Sequence, residues 1–390
     1  METMYAKLRL AMIGGGQGAF IGGVHRLAAA LDGEYELVAG AFSSRAATSQ
    51  ATGQALGLAP ARVYDSYQDL IAGELALPVD ERVQVISIVT PNHLHFAPAK
   101  LALENGFDVV LDKPLTFSLA EARELAHIVQ TTGRRLVLTH TYTGYPMVKE
   151  ARALVAAGAL GRLRKVYVEY PQGWLSTFVE GDASNKQAGW RTDPARSGLA
   201  GAMGDIGTHA FNLLEYVTGL RVEQLCADIR AVVPGRQLDD DGAVLLQLSE
   251  GVSGVLIATQ VAAGEENNLR LRVYGELGGL DWQQADNNTL LVKWLDQPTE
   301  IRRTNAPYTS AAARHNARIP SGHPEGYLEA FANIYRNFAL TLRAEAAGQP
   351  PTAEMLDFPG IAEGLRGMAF IEAVVASGQS DAKWTEFPAV

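Results

Sequence analysis

From Leu8 onward the chain alternates short apolar runs with segments at helical spacing. Leu8-Arg9-Leu10-Ala11-Met12-Ile13 is a compact apolar run that stops at Gly14-Gly15-Gly16. Phe20 to Leu31 repeats its apolar positions with a helical period. Glu36 to Phe42 predicts a second buried strand, Val83 to Val89 (VQVISIV) a third and Phe107 to Leu111 (FDVVL) a fourth, and a fifth begins at Leu136. Between them the spacing predicts helices over 94–104 and 119–131. Nearly continuous apolar strands alternating with helices imply a parallel sheet covered on both faces.

Beyond Tyr142 the rhythm changes. A helix is predicted over 147–157, stopped by Gly158, then a strand over 165–170 and a long polar stretch to about residue 204. Another helix is predicted over 205–217, stopped by Gly219. Strands follow at 223–233, 243–248, 252–261, 269–274 and 290–295. Leu-Arg-Leu-Arg-Val-Tyr at 269–274 alternates as a half-solvated antiparallel strand should. Helices over 324–345 and 359–376 close the chain. The expected fold class is α/β. A doubly wound parallel sheet occupies a first domain, 1–141, and an α+β domain, 142–390, carries a large open, mainly antiparallel sheet. The open sheet face reads as partly apolar, with Val252, Leu256 and Val273 as candidates, which predicts a homo-oligomer, a dimer or tetramer. The irregular stretches 171–204 and 297–323 are candidate functional loops.

Composition narrows the class. Of 390 residues 47% are hydrophobic and 19% charged, a globular rather than disordered profile. The net charge of −10 argues against nucleic acid or an anionic membrane as a partner. One cysteine, Cys226, excludes an intrachain disulfide and is expected in the core. No apolar run approaches bilayer length, and the run after Lys7 and Arg9 is short for a secretory signal, so the expected location is the cytoplasm.

Gly14, Gly15, Gly16 and Gly18 lie between a first strand and a first helix. Glycines there let the backbone approach a pyrophosphate, and the helix N-terminus supplies N–H donors. Gly14 and Gly16 fit the first two positions of a G-x-G-x-x-G pattern. The third is Ala19 read directly, or Gly22 with Gln17–Ala19 bulged, and Gly22 is the favoured reading. Gln17, Gly18, Phe20 and Ile21 complete the candidate cofactor loop. Where a ribose-reading carboxylate often stands, the chain has Ser43-Ser44-Arg45. No carboxylate there repels a 2′-phosphate and Arg45 can pair with one, so NAD and NADP both remain open.

Two further segments fall at predicted strand ends, where doubly wound sheets bind ligands. One is Thr90-Pro91-Asn92-His93-Leu94-His95; the other is Asp112-Lys113-Pro114, with Lys113 held extended by the following proline. In Gly204-Asp205-Ile206-Gly207-Thr208-His209, Asp205 and His209 share one helix face at i and i+4. Asp205 can alternatively be the N-cap of that helix. Tyr142, Tyr145, Trp174, Trp190, Arg191 and His323 lie in or beside loops that can wall a carbohydrate pocket. Lys186 can meet an acidic substituent. His93 and His95 share a face, but no Cys or carboxylate cluster completes a metal site, so none is expected.

The glycine loop, TPNHLH at 90–95, DKP at 112–114, WRTDPARSG at 190–198 and GDIGTH at 204–209 together resemble the Gfo/Idh/MocA family, over nearly the whole length. That resemblance implies an N-terminal Rossmann domain, a C-terminal open antiparallel sheet and assembly through that sheet. It implies catalytic roles for Lys113, Asp205 and His209, and places Asn92 and His95 near the nicotinamide and Trp190 and Arg191 at cofactor and substrate. Asp112 stands where the family usually has Glu.

The chemistry expected is oxidation of a secondary alcohol on a sugar, sugar derivative or cyclitol by NAD or NADP. His209 is the base near neutrality, Lys113 stabilises charge on the reacting oxygen and Asp205 orients a neighbouring hydroxyl. A lysine with a depressed pKa is the alternative base. Two other readings share these residues: a glycoside hydrolase working through transient oxidation, and a non-catalytic nucleotide-binding sensor.

Overall fold

The structure, a computed structural model, describes residues 6–182 and 185–390. The chain divides into two compact units, Met1–Thr139 with Phe331–Gly364 and His140–Ala330 with Leu365–Val390. A single boundary at 141/142 misses the return of 331–364 to the first unit.

In the first unit the order is β1 (Leu8–Gly14), α1 (Phe20–Leu31), β2 (Tyr35–Ala41), α2 (Ala46–Ala55), α3 (Tyr67–Leu75), β3 (Val85–Val89), α4 (Phe96–Glu104), β4 (Asp108–Leu111), α5 (Leu119–Thr132) and β5 (Leu136–Leu138). The five strands are parallel in the order β2-β1-β3-β4-β5, so the order reverses between β1 and β3. Beyond β2 a lone parallel bridge joins Gly40 to Val63. β3 is buried along its whole length, as its uninterrupted apolar sequence demands. The returning segment extends the other edge: the Leu138 N–H donates to the Pro359 carbonyl at 2.9 Å. Ser118 accepts from the Glu121 N–H to start α5, and Gly133 in the left-handed conformation (φ 65°) ends it.

The second unit holds α6 (Pro146–Ala156), β6 (Leu163–Pro171), α7 (Lys186–Arg191), α8 (Pro194–Ser197), a π-helical turn at Met203–Gly207, α9 (Thr208–Thr218), β7 (Val222–Arg230), β8 (Asp241–Leu248), β9 (Ser253–Thr259), β10 (Arg270–Gly275), β11 (Gly278–Gln283), β12 (Thr289–Trp294), β13 (Glu300–Arg303) and α10 (Ala311–His315). Two long helices carry the chain back and forth, α11 (Tyr327–Ala346) and α12 (Ile361–Gly378), before the short β14 (Thr385–Glu386). Nine strands form one sheet, β13-β12-β11-β10-β6-β9-β8-β7-β14, antiparallel except for the β6–β9 pair. α9 packs on β6, β9 and β10, and α6 on β11 and β12.

The other sheet face carries an apolar patch, but through different residues from those expected. Val252, Leu256 and Val273 are buried under the helices, whereas Leu245 and Ile257 stand exposed. Side chains alternate with period two, so reading the wrong parity moves a whole strand to the opposite face. Cys226 is half-buried and, opposite Leu245 in the ladder, shares this outer row instead of entering the core. Among the described residues no helix is long and apolar enough to cross a membrane.

Candidate active site

The β1–α1 turn is built for close approach. Gly14, Gly15 and Gly18 adopt positive φ (84°, 69° and 82°), which only glycine does without strain. A Cβ on Gly22 would lie 2.4 Å from the Gly15 Cα, so helix α1 and the turn leaving β1 touch backbone to backbone there. A Cβ on Gly16 would lie 2.7 Å from the Phe42 carbonyl oxygen. Arg26 reaches back to donate to the Gly15 carbonyl at 2.8 Å, and the Gln17 N–H donates to Thr52 Oγ1 at 3.3 Å. Helix α1 starts at Phe20 with no side-chain cap and no acidic residue in its first turn. The N–H groups there suit an anion, and the glycine cradle fits a dinucleotide pyrophosphate. Gln17, Gly18 and Phe20 are exposed on this loop, with Ile21 half-buried behind them. At the end of β2, Ser44 and Arg45 are exposed, Ser43 is half-buried, and the Arg45 N–H donates to Ser43 Oγ at 3.2 Å.

The ends of β3 and β4 are tied together by His95. It is fully buried, with Nδ1 2.7 Å from the Pro114 carbonyl and Nε2 2.8 Å from the Thr90 carbonyl. Burial pushes its pKa down, against the pull of Asp112 and both carbonyls. His95 was expected to contact the cofactor; with no exposed surface it instead braces the turn carrying Lys113. Thr90 is half-buried and Asn92 buried beside it. Lys113 is half-buried, directly after β4, and its peptide bond to Pro114 is cis.

Asp112 is anchored from below. Thr139 Oγ1 donates to its Oδ1 at 2.9 Å, and the buried His25 Nε2 lies 3.7 Å from the same oxygen. Burial pushes this carboxyl up, but the neighbouring His25, Lys113 and His95 side chains outweigh it and hold it well below the usual carboxylate range. Behind His25 sit Tyr335 Oη, 2.8 Å from Nδ1, and Ser87 Oγ, 2.9 Å from Tyr335 Oη.

In the second unit a connected polar cluster surrounds Asp205 and His209. Asp205 lies in the π-helical turn, and His209 opens α9 one turn later; π-turns recur at functional sites. The capping role considered for Asp205 belongs to Asp239, whose carboxylate accepts the N–H groups of Gly201 and Met203 at 2.7 and 2.8 Å. Asp205 Oδ2 instead accepts from Gln260 Nε2 at 3.0 Å and pairs with Arg191 Nε at 3.5 Å. The Arg191 guanidinium lies 4.3 Å from the Trp190 ring centroid. Gln260 also donates to Gln172 Oε1 at 3.3 Å, which accepts from Trp174 Nε1 at 3.0 Å. Gln172 Nε2 and Tyr170 Oη both donate to Asn267 Oδ1, at 2.5 and 2.7 Å. Tyr170 is hydrogen-bonded to Tyr142, whose ring meets His209 edge-on at 5.0 Å. Burial pushes both phenols above their ordinary pKa, so they stay neutral. Tyr145 is buried and stacks with Tyr142.

Tyr142, Trp174, Trp190, Arg191, Asp205 and His209 therefore fall in one connected cluster. His323 does not join it; it is exposed and bonds the Pro320 carbonyl of its own turn. The Lys186 side chain lies outside the described residues. Sequence reasoning missed Tyr170, Gln172, Gln260, Asn267 and His140. Gln172 and Gln260 meet because each follows one strand of the parallel β6–β9 pair, in register at Pro171 and Thr259. Nothing local announces that pairing. Among the described residues no group of three His, Cys, Asp or Glu can hold a metal.

Fold and residues together define an oxidoreductase with an NAD-binding Rossmann domain. The chain belongs to the Gfo/Idh/MocA family: residues 8–140 match its model for the oxidoreductase family with an NAD-binding Rossmann fold, and residues 148–281 its C-terminal domain. It is 31% identical over 383 residues, 97% of each chain, to the uncharacterized oxidoreductase YfiI of Bacillus subtilis. An inositol dehydrogenase homolog from Azotobacter vinelandii, solved with NAD+, superposes with TM-score 0.93 at 34% identity, over 98% of this chain and 97% of that one. An oxidoreductase from Sinorhizobium meliloti is 42% identical, with TM-score 0.87 over 98% and 100% of the two chains.

Proposed function

We propose that this protein is a nicotinamide-dependent dehydrogenase of a secondary alcohol on a sugar, sugar derivative or cyclitol. The observation that carries this reading is the Asp205–His209 cluster, in which a carboxylate and an imidazole one turn apart are framed by amides, phenols and indoles. Such a surface suits a ligand made of hydroxyls and apolar C–H faces. The Azotobacter vinelandii homolog, also solved with NADH and myo-inositol at 32% identity, supports that class.

The cofactor is held by the glycine loop, with Ser43, Ser44 and Arg45 at the ribose, and NAD or NADP is accepted there. When bound, nicotinamide takes up or returns the hydride. Lys113, on a turn braced by His95, donates a hydrogen bond to the reacting oxygen and stabilises its developing charge. His209 takes the hydroxyl proton at Nε2, since Nδ1 faces His140. Asp205, fixed by Gln260 and Arg191, accepts from a neighbouring hydroxyl. Trp190 and Arg191 help to hold cofactor and substrate. The assembly is a homo-oligomer joined through the open sheet face.

A panel of cyclitols, aldoses and glycosides assayed by nicotinamide absorbance tests the reading. Lys113→Ala and His209→Ala are each expected to lower kcat/KM by about 100-fold or more while the fold is kept. Full turnover in either variant removes that residue from the chemistry. Aglycone release without net cofactor reduction would replace dehydrogenation by cleavage.

A further inference from the structure

His140 was not singled out in the sequence, yet it faces the residue assigned above as the base. Its Nδ1 lies 3.4 Å from His209 Nδ1, the rings are perpendicular (86°) with centroids 5.2 Å apart, and both side chains are buried. Two imidazole lone pairs cannot face each other at that distance without repulsion. One Nδ1 must carry a proton and the other accept it. The two arrangements have opposite consequences. With the proton on His209 Nδ1, His209 Nε2 is a lone pair and can take a proton. With the proton on His140 Nδ1, His209 Nε2 carries hydrogen and can only donate.

Tyr142 meets the His209 ring edge-on, and the Tyr170 ring lies 6.5 Å away. Their hydroxyls are bonded to each other and, from Tyr170, to Asn267. Asp205, one turn before His209, is engaged by Gln260 and Arg191. His140 stands at His209 Nδ1, the position where other enzymes put a carboxylate that fixes a histidine tautomer.

We propose that His140 is a positioning residue that accepts the Nδ1–H of His209, holding His209 Nε2 as the proton acceptor. The inference rests on the reading of His209 as base. In the oxidation direction the alcohol proton moves from oxygen to His209 Nε2. The imidazolium so formed keeps its Nδ1–H on the neutral His140, a charge-assisted hydrogen bond stronger than the one before transfer. A second proton on the pair would set like charges face to face.

His140→Leu and His140→Asn separate this role from packing. Leu fills space without an acceptor, whereas the Asn carbonyl oxygen can take the place of Nδ1. The Leu variant is expected to lose about 100-fold in kcat with little change in KM, the magnitude of a general-base effect. The acid limb of its kcat/KM profile moves to lower pH, because the imidazolium has lost its acceptor. The Asn variant recovers to within about 10-fold of the parent kcat. Nitrogen-15 NMR of the imidazoles adds a readout independent of turnover: His209 should carry its proton on Nδ1, and the two rings should titrate in linked steps that become one in His140→Asn. The proposal is overturned by an unchanged kcat and pH profile in His140→Leu. It is equally overturned by an Asn variant as slow as Leu with parental thermal stability, or by a neutral His209 protonated on Nε2. If His140→Leu fails to fold, the Asn variant and the NMR tautomer decide. If the parent oxidises no alcohol, the dehydrogenase reading fails while the tautomer measurement still tests His140.

Discussion

Asp112 condenses the physics of the first unit into one carboxylate. The sequence shows it only as a shorter acid in front of Lys113. The structure shows it anchored by Thr139 and facing the buried His25, which leads on to Tyr335 and Ser87. Its folded pKa lies below the unfolded value of about 4, so it contributes stability above that pH. The contribution is lost as pH falls through the folded value. Asp112→Asn keeps the shape and removes the charge, and is expected to cost about 1–3 kcal/mol at neutral pH. The gap between parent and variant should shrink on acidification below about pH 4, as urea unfolding across pH 3–7 would show. A gap independent of pH would mean that the charge on Asp112 does not stabilise the fold. His95 teaches the reverse lesson. A histidine in a loop motif looks like a ligand, yet both ring nitrogens face backbone carbonyls, and only packed coordinates reveal that.

Among the elements, the β1–α1 turn was the most legible, since strand, glycine cluster and helix are all local. Its third glycine was not, because the choice between Ala19 and Gly22 depends on which residue meets the glycine turn. Gly22 does, its position 2.4 Å from the Gly15 Cα once a Cβ is added. Gly22→Ala must therefore push α1 off the glycine turn. It is expected to destabilise by about 1–3 kcal/mol and to weaken nicotinamide dinucleotide binding by about 10-fold or more. Thermal melts and calorimetric titration would measure the two, and parental affinity would contradict the assigned approach. The helix read over 205–217 exists, but it opens as a π-turn capped by Asp239, thirty-four residues beyond Asp205 along the chain. A capping residue supplied from such a distance leaves no signal in the helix itself.

For the molecule as a whole, the outer face of the nine-stranded sheet is the feature that calls for a partner. Leu245 and Ile257 are 48% and 38% exposed on neighbouring strands, beside half-buried Val255 and Cys226. Paired strands presenting contiguous apolar side chains to water are unfavourable unless covered. Leu245→Glu with Ile257→Lys is expected to convert a dimer or tetramer to monomers in light scattering at micromolar concentration. A monomeric parent, or a variant that still assembles, would place the interface elsewhere. By itself the sequence determined the two kinds of sheet, the glycine turn, and the candidacy of Lys113, Asp205 and His209, because periodicity, turn chemistry and short motifs are written within a few residues of each other. The tertiary structure alone decided which sheet face is bare, that 331–364 returns to the first unit, and that Gln172, Gln260, Asn267 and His140 gather around Asp205 and His209. Those facts depend on strand register and on pairings between residues far apart in the chain, and long-range pairing leaves no local trace in the order of amino acids.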